Sequence, residues 1–101
     1  MTLKKEDAIV LELEENLRDI ENHYKVAQQL FKDGFFEESI AQYNKCLDIS
    51  FTHIPSMQGL SEVYKKLGDT EKEQKYKDMI SQVIERMNYE KIESEIRKHR
   101  T

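Results

Sequence analysis

Two glycines, Gly34 and Gly68, each close a run of apolar residues spaced as on a helix. A glycine just past such a stripe reads as a helix stop, because it takes the left-handed conformation at the C-terminus without steric cost. The flanking segments align without a gap, 29–38 against 63–72. The interval between the glycines matches one helix–turn–helix repeat, a unit of roughly 34 residues. Such a unit cannot bury its apolar face alone, so it stacks on its neighbour. The spacing therefore predicts an all-α chain built of antiparallel helix–turn–helix pairs.

Val10, Leu13, Leu17, Ile20, Tyr24, Ala27 and Phe31 alternate steps of three and four, a single stripe that also satisfies a heptad pattern. This predicts a first helix over 3–32, capped by Thr2 and stopped at Asp33-Gly34, with Asn16 and Asn22 as candidate breaks. A second helix is expected over 36–49, with Phe36, Ile40, Tyr43, Cys46-Leu47 and Ile49 on one face. Pro55 disfavours helix at Ile54 and suits a first turn, so a third helix is expected over 55–67. The fourth starts near Thr70, where Thr70-Glu71-Lys72-Glu73 reads as a capping box. Its stripe is Tyr76, Met79, Ile80, Val83, Ile84 and Met87. The helical signal then runs on through Ile92 and Ile96 unless Asn88 breaks it into a short fifth helix.

At this period the chain resembles the tetratricopeptide repeat family. That pattern places small and aromatic residues at set positions of both helices around a glycine turn. Repeat one, 20–53, holds Ala27, Leu30, Gly34, Phe36, Ser39, Tyr43 and Cys46 there. Repeat two, 54–87, holds Ser61, Tyr64, Gly68, Thr70, Glu73, Lys77 and Ile80. Its second helix departs from the pattern at Glu73 and Lys77, as suits a terminal, capping helix. The resemblance divides one domain into an N-terminal helical extension (1–19), the two repeats, and a C-terminal extension or cap (88–101). It implies a short superhelix with long terminal helices, and a protein- or peptide-binding groove lined by the first helix of each pair. The groove positions are Glu21, Tyr24, Gln28 and Phe31, then Gln58, Glu62 and Lys65. An alternative stands beside this: Tyr24 and Phe31 pack against the N- or C-terminal helix. Some members clamp a chaperone's C-terminal carboxylate with Lys and Asn. The matching positions here are Tyr24, Gln28, Pro55 and Gly59, so no such tail is expected to bind.

Charge and composition narrow the function further. The formal net charge is −4, with 6 Lys/Arg against 11 Asp/Glu in residues 1–50 and 10 against 9 in residues 51–101. Phosphate binding needs a broad positive surface, so no nucleic acid is expected, and Arg97-Lys98-His99-Arg100 reads as cations at a helix C-terminus. The lone Cys46 excludes an intrachain disulfide and suits a reducing compartment. No signal peptide or membrane-length apolar run is visible, so a soluble, cytoplasmic chain is expected.

No catalytic constellation emerges. His23, His53 and His99 lack metal-ligand spacing, so no metal or cofactor is expected. Cys46 falls where a small buried residue belongs and reads as core, not nucleophile. Glu14-Glu15 and Glu37-Glu38 are adjacent on helices and point to different sides. The expectation is a non-catalytic scaffold or adaptor for a protein partner, self-associating through its terminal helices. The alternative is a small dedicated chaperone shielding a secretion or assembly subunit.

Overall fold

The computed structural model describes residues 5–98. They form four helices, α1 (Lys5–Lys32), α2 (Phe36–Ile49), α3 (Ile54–Leu67) and α4 (Thr70–Lys98), with no strand among the described residues. The helices pack in chain order as two hairpins, α1 with α2 and α3 with α4, joined through α2 and α3. Neither Asn16, Asn22 nor Asn88 interrupts a helix, so no fifth helix forms among the described residues. An exposed asparagine costs a helix only a few tenths of a kcal/mol, roughly, too little to break one of this length.

The repeat appears in the backbone hydrogen bonds. Gly34 N–H donates to Phe31 O at 3.1 Å and Phe35 N–H to Leu30 O at 2.8 Å. Gly68 N–H donates to Lys65 O at 3.1 Å and Asp69 N–H to Tyr64 O at 2.9 Å. Each glycine sits at positive φ, 85° and 78°, which lets the chain reverse within a short turn. The second turn differs in one respect from expectation. The cap of α4 is Asp69, whose carboxylate accepts the Lys72 N–H at 3.1 Å, and Thr70 is already helical. The Asp69–Tyr64 bond fixes Asp69 outside the helix, one residue before the capping box read from sequence. α3 likewise starts one residue early, at Ile54, with Pro55 inside its first turn. The Thr2 cap lies outside the described residues.

Three side-chain bonds set the register of the first hairpin. Ser39 Oγ donates to Ala27 O at 2.8 Å, His23 Nδ1 meets Gln42 Oε1 at 2.8 Å, and Cys46 Sγ donates to Ile20 O at 3.4 Å. Small buried side chains at Ser39 and Cys46 are what let α2 lie this close to α1. The core is built on Ala27, Tyr43, Leu60 and Val63, with Tyr24, Phe31, Phe36, Ile40, Leu47, Tyr64 and Tyr76 packed around it. Burying each large apolar side chain here contributes about 1.5–3 kcal/mol. Tyr43 reaches across from α2 to lie against Gly59 of α3, where even a methyl group would collide with its ring. The role of Gly59 is therefore room, while Gly34 and Gly68 have open space around them and serve backbone geometry.

In the second hairpin the counterparts of Ser39 and Tyr43 are Glu73 and Lys77, joined as an ion pair at 2.8 Å. Tyr43 has a following helix to pack on, and Lys77 has none among the described residues. Tyr76 instead stacks on Tyr64, centroids 5.8 Å apart and planes within 4°. No residue of α4 is fully buried.

The outline measures 52 × 45 × 16 Å with a radius of gyration of 17.5 Å, against about 13 Å for a compact chain of this length. The excess comes from α1 and α4, which outrun their partners. α2 ends level with the region just before Ile20 of α1, and α3 begins level with Val83 of α4. Residues 5–19 and 84–98 each overhang by about 15 residues, or about 22 Å. Both overhangs leave from the end that carries the α2–α3 connection.

Candidate protein-docking surfaces

The groove residues named from sequence fall into two groups. Glu21, Gln28, Gln58, Glu62 and Lys65 are exposed, on α1 and α3. Glu21 pairs with Lys25 at 3.1 Å, both in solvent, and such a pair contributes at most ~0.5 kcal/mol. Tyr24 and Phe31 are half-buried and belong to the core shell. Tyr24 lies 5.9 Å from the Tyr43 ring and edge-on to His53 at 5.8 Å, and its hydroxyl accepts from Gln28 Nε2 at 3.1 Å. Phe31 lies 5.7 Å from Phe36. The partners of these two rings are thus α2 and the α2–α3 connection, not a terminal helix.

Tyr24 and Glu62 come together near Tyr43. Burial pushes the Tyr43 hydroxyl up to about 12, and the nearby Tyr24 and Glu62 add to it. An ionised phenolate is disfavoured there by low polarity first and by the nearby Glu62 carboxylate. Phe31, Gln58 and Lys65 are not drawn into that cluster by any side-chain bond among the described residues. Burial lowers the pKa of His53, and its Nδ1 meets Ser56 Oγ at 2.7 Å. Burial raises the Cys46 thiol, partly offset by Ser56, so this thiol is a core group. Among the described residues no three His, Cys, Asp or Glu side chains gather as metal ligands would.

A second surface lies at the other face of the α2–α3 connection, where the sequence pattern gives no expectation of one. It is an open cleft of about 720 Å³ between that connection and α4. Phe51, Ile54 and Pro55 form one wall, Met79, Val83 and Met87 the other, with Arg86 and Glu90 at the rim. Phe51, on the first wall, is 75% exposed. Its signal in the sequence is a lone aromatic between Ser50 and Thr52, which means little until α4 is placed opposite it.

The overhangs are the third feature. Val10, Leu13 and Leu17 on α1, and Tyr89, Ile92 and Ile96 on α4, are 51–68% exposed. No helix among the described residues is long and apolar enough to cross a membrane. Comparison with protein-family models, with curated proteins and with solved structures finds no match to this chain.

Proposed function

We propose that this chain is a non-catalytic protein-binding scaffold of the tetratricopeptide kind, acting in the cytoplasm, and that it docks a partner protein at the apolar end from which its long helices project. The observation that carries the reading is the amount of apolar side chain held out on helices at that one end, around Phe51 and the cleft wall of α4. An open apolar cleft flanked by further exposed apolar side chains marks an interaction site on a small domain. The matching turns at Gly34 and Gly68 and the paired helices support the repeat reading. The groove on α1 and α3 offers exposed Glu21, Gln28, Gln58, Glu62 and Lys65 as a polar margin, with its two rings already engaged in packing.

Met79 and Met87 favour a second form of the same reading, a dedicated chaperone. Unbranched thioether side chains re-pack readily around an irregular client surface. Affinity purification from the native host, read by mass spectrometry, tests the proposal. The wild-type chain should retain a partner that Phe51→Asp and Met87→Glu lose while their helicity stays unchanged. A chaperone would hold one client that becomes insoluble without it. Equal capture by the wild type and both variants would remove the docking site from this end of the molecule.

A further inference from the structure

We infer that two copies of this chain pair through their overhangs, residues 5–19 of α1 in one copy lying parallel to residues 84–98 of α4 in the other, a partner assignment that rests on the protein-binding reading above. The α1 stripe covered by α2 at Ile20, Tyr24 and Ala27 continues in the same heptad register to Leu17, Leu13 and Val10. Its uncovered part therefore faces the empty line beyond the end of α2. α4 behaves differently. Tyr76 and Ile80 face α3, but Ile92 and Ile96 each lie sixteen residues further on, about 160° round the helix. The Tyr89, Ile92 and Ile96 stripe thus faces away from α3, on the opposite side of the same helix.

One stripe looks inward and the other outward, and α2 and α3 stand between them, so the chain cannot close them on each other. Among the described residues α1 and α4 make no contact. A two-fold axis resolves both at once. Because both overhangs leave the same end, two copies meet end to end with overhangs interleaved. The partner's α4 then runs in line with α2, its outward stripe against the inward stripe of α1, and the same contact forms twice, as a self-complementary interface requires. In that arrangement α1 and the partner's α4 run in the same direction. Their stripes share the spacing of three then four, so Val10, Leu13 and Leu17 fall level with Tyr89, Ile92 and Ile96 of the partner copy. The same alignment sets residue 5 level with 84 and 19 level with 98.

Charge selects this pairing over α1 on α1. Residues 5–19 carry six Asp/Glu against two Lys/Arg, and two such stretches repel. Residues 84–98 carry four of each, and the alignment brings Lys91 level with Glu12 and Lys98 level with Asp19, while Arg97 falls level with Arg18. The six stripe side chains expose on the order of 700 Å² per copy, close to the roughly 800 Å² per partner that a standard-size stable interface buries.

Sedimentation equilibrium of the full chain and disulfide trapping test the pairing. The wild type should sediment as a dimer at micromolar concentration. Ile92→Asp, an exposed position, should raise the dissociation constant at least tenfold with helicity unchanged. When Leu13→Cys and Ile92→Cys chains are mixed and oxidised, the cross-linked product should join one of each, because Cys46 is buried and does not compete. A monomer at every concentration overturns the inference, as does an Ile92→Asp dimer of wild-type strength. A product dominated by Leu13→Cys joined to itself overturns it too. A monomer that still captures a different protein through these stripes overturns the self-pairing alone and leaves the scaffold reading standing. A trapped dimer that captures nothing else does the reverse.

Discussion

Replacing Gly59 by alanine sets two effects of opposite sign against each other. Alanine in the middle of a helix is favoured over glycine by about 0.8–1.0 kcal/mol, so in an uncrowded α3 the variant would be more stable. The new methyl group, however, would sit 2.7 Å from Cε2 of Tyr43 and closer still to the rest of the ring edge. Carbon atoms rest at about 3.5–4.0 Å, so the ring or the helix must give by about 1 Å. Tyr43 is 4% exposed and wedged against Ala27, Leu60 and Val63, which leaves it no free direction. Overpacking of this kind costs about 1–3 kcal/mol, and displacing α3 from α2 puts the cost toward the upper end. The net expectation is a destabilisation of about 1–2 kcal/mol, or a fall in Tm of roughly 4–16 °C for a domain of this size. Urea titration followed by far-UV circular dichroism measures it. The double variant Gly59→Ala/Tyr43→Leu should recover most of the clash term. A Gly59→Ala chain as stable as the wild type, or more so, would refute the packing described for α2 on α3.

Three further outcomes follow from other residues. Gly34→Ala and Gly68→Ala, at φ 85° and 78° with open space around them, should each cost about 1–2 kcal/mol in urea titration, through backbone strain alone. Holding Tyr43 neutral stabilises the fold fully below pH 10 and loses that effect between pH 10 and about 12, on the order of 2 kcal/mol. Urea titrations at pH 9 and pH 11 should show a smaller loss for Tyr43→Phe than for the wild type. The Cys46 thiol, fully buried, should react with a thiol reagent only as fast as the chain opens, so added urea should accelerate labelling steeply.

Helix positions are legible in the sequence because apolar side chains gather along one face of a helix, and spacing of three and four reports that directly. The turn glycines are legible for the same reason. The demand on Gly59 is not, since it comes from the Tyr43 ring on another helix, and periodicity carries no information about which helix packs where. The choice between Asp69 and Thr70 as cap also lies beyond the spacing, because both are good capping residues and a backbone bond to Tyr64 decides. The sequence assigns α4 a stripe from Tyr76 to Met87 and a helical signal that runs on through Ile92 and Ile96. Helix geometry alone sets Ile92 and Ile96 on the face opposite Tyr76 and Ile80, and the structure adds that α3 covers the first set and leaves the second exposed. The groove residues fall on the expected helices, but Tyr24 and Phe31 turn their rings into the packing with α2. The cleft at Phe51 joins the α2–α3 connection to the far half of α4, segments well separated along the chain, and leaves no local trace.

The long helices have one more consequence, in the energetics of order. An isolated helix of about 15 residues is marginal in water, because the first turn must be nucleated at a statistical cost of roughly a thousandfold. Each overhang is spared that step. It grows from a turn already held by packing, at Ile20 for α1 and, for α4, in the stretch from Tyr76 that packs against α3, and needs only to propagate. Amide hydrogen exchange along either helix should therefore be graded, slow at the anchored half and progressively faster outward, with no sharp boundary. A protein that meets these surfaces finds them already helical, and the entropy it must still remove is that of fraying rather than of folding.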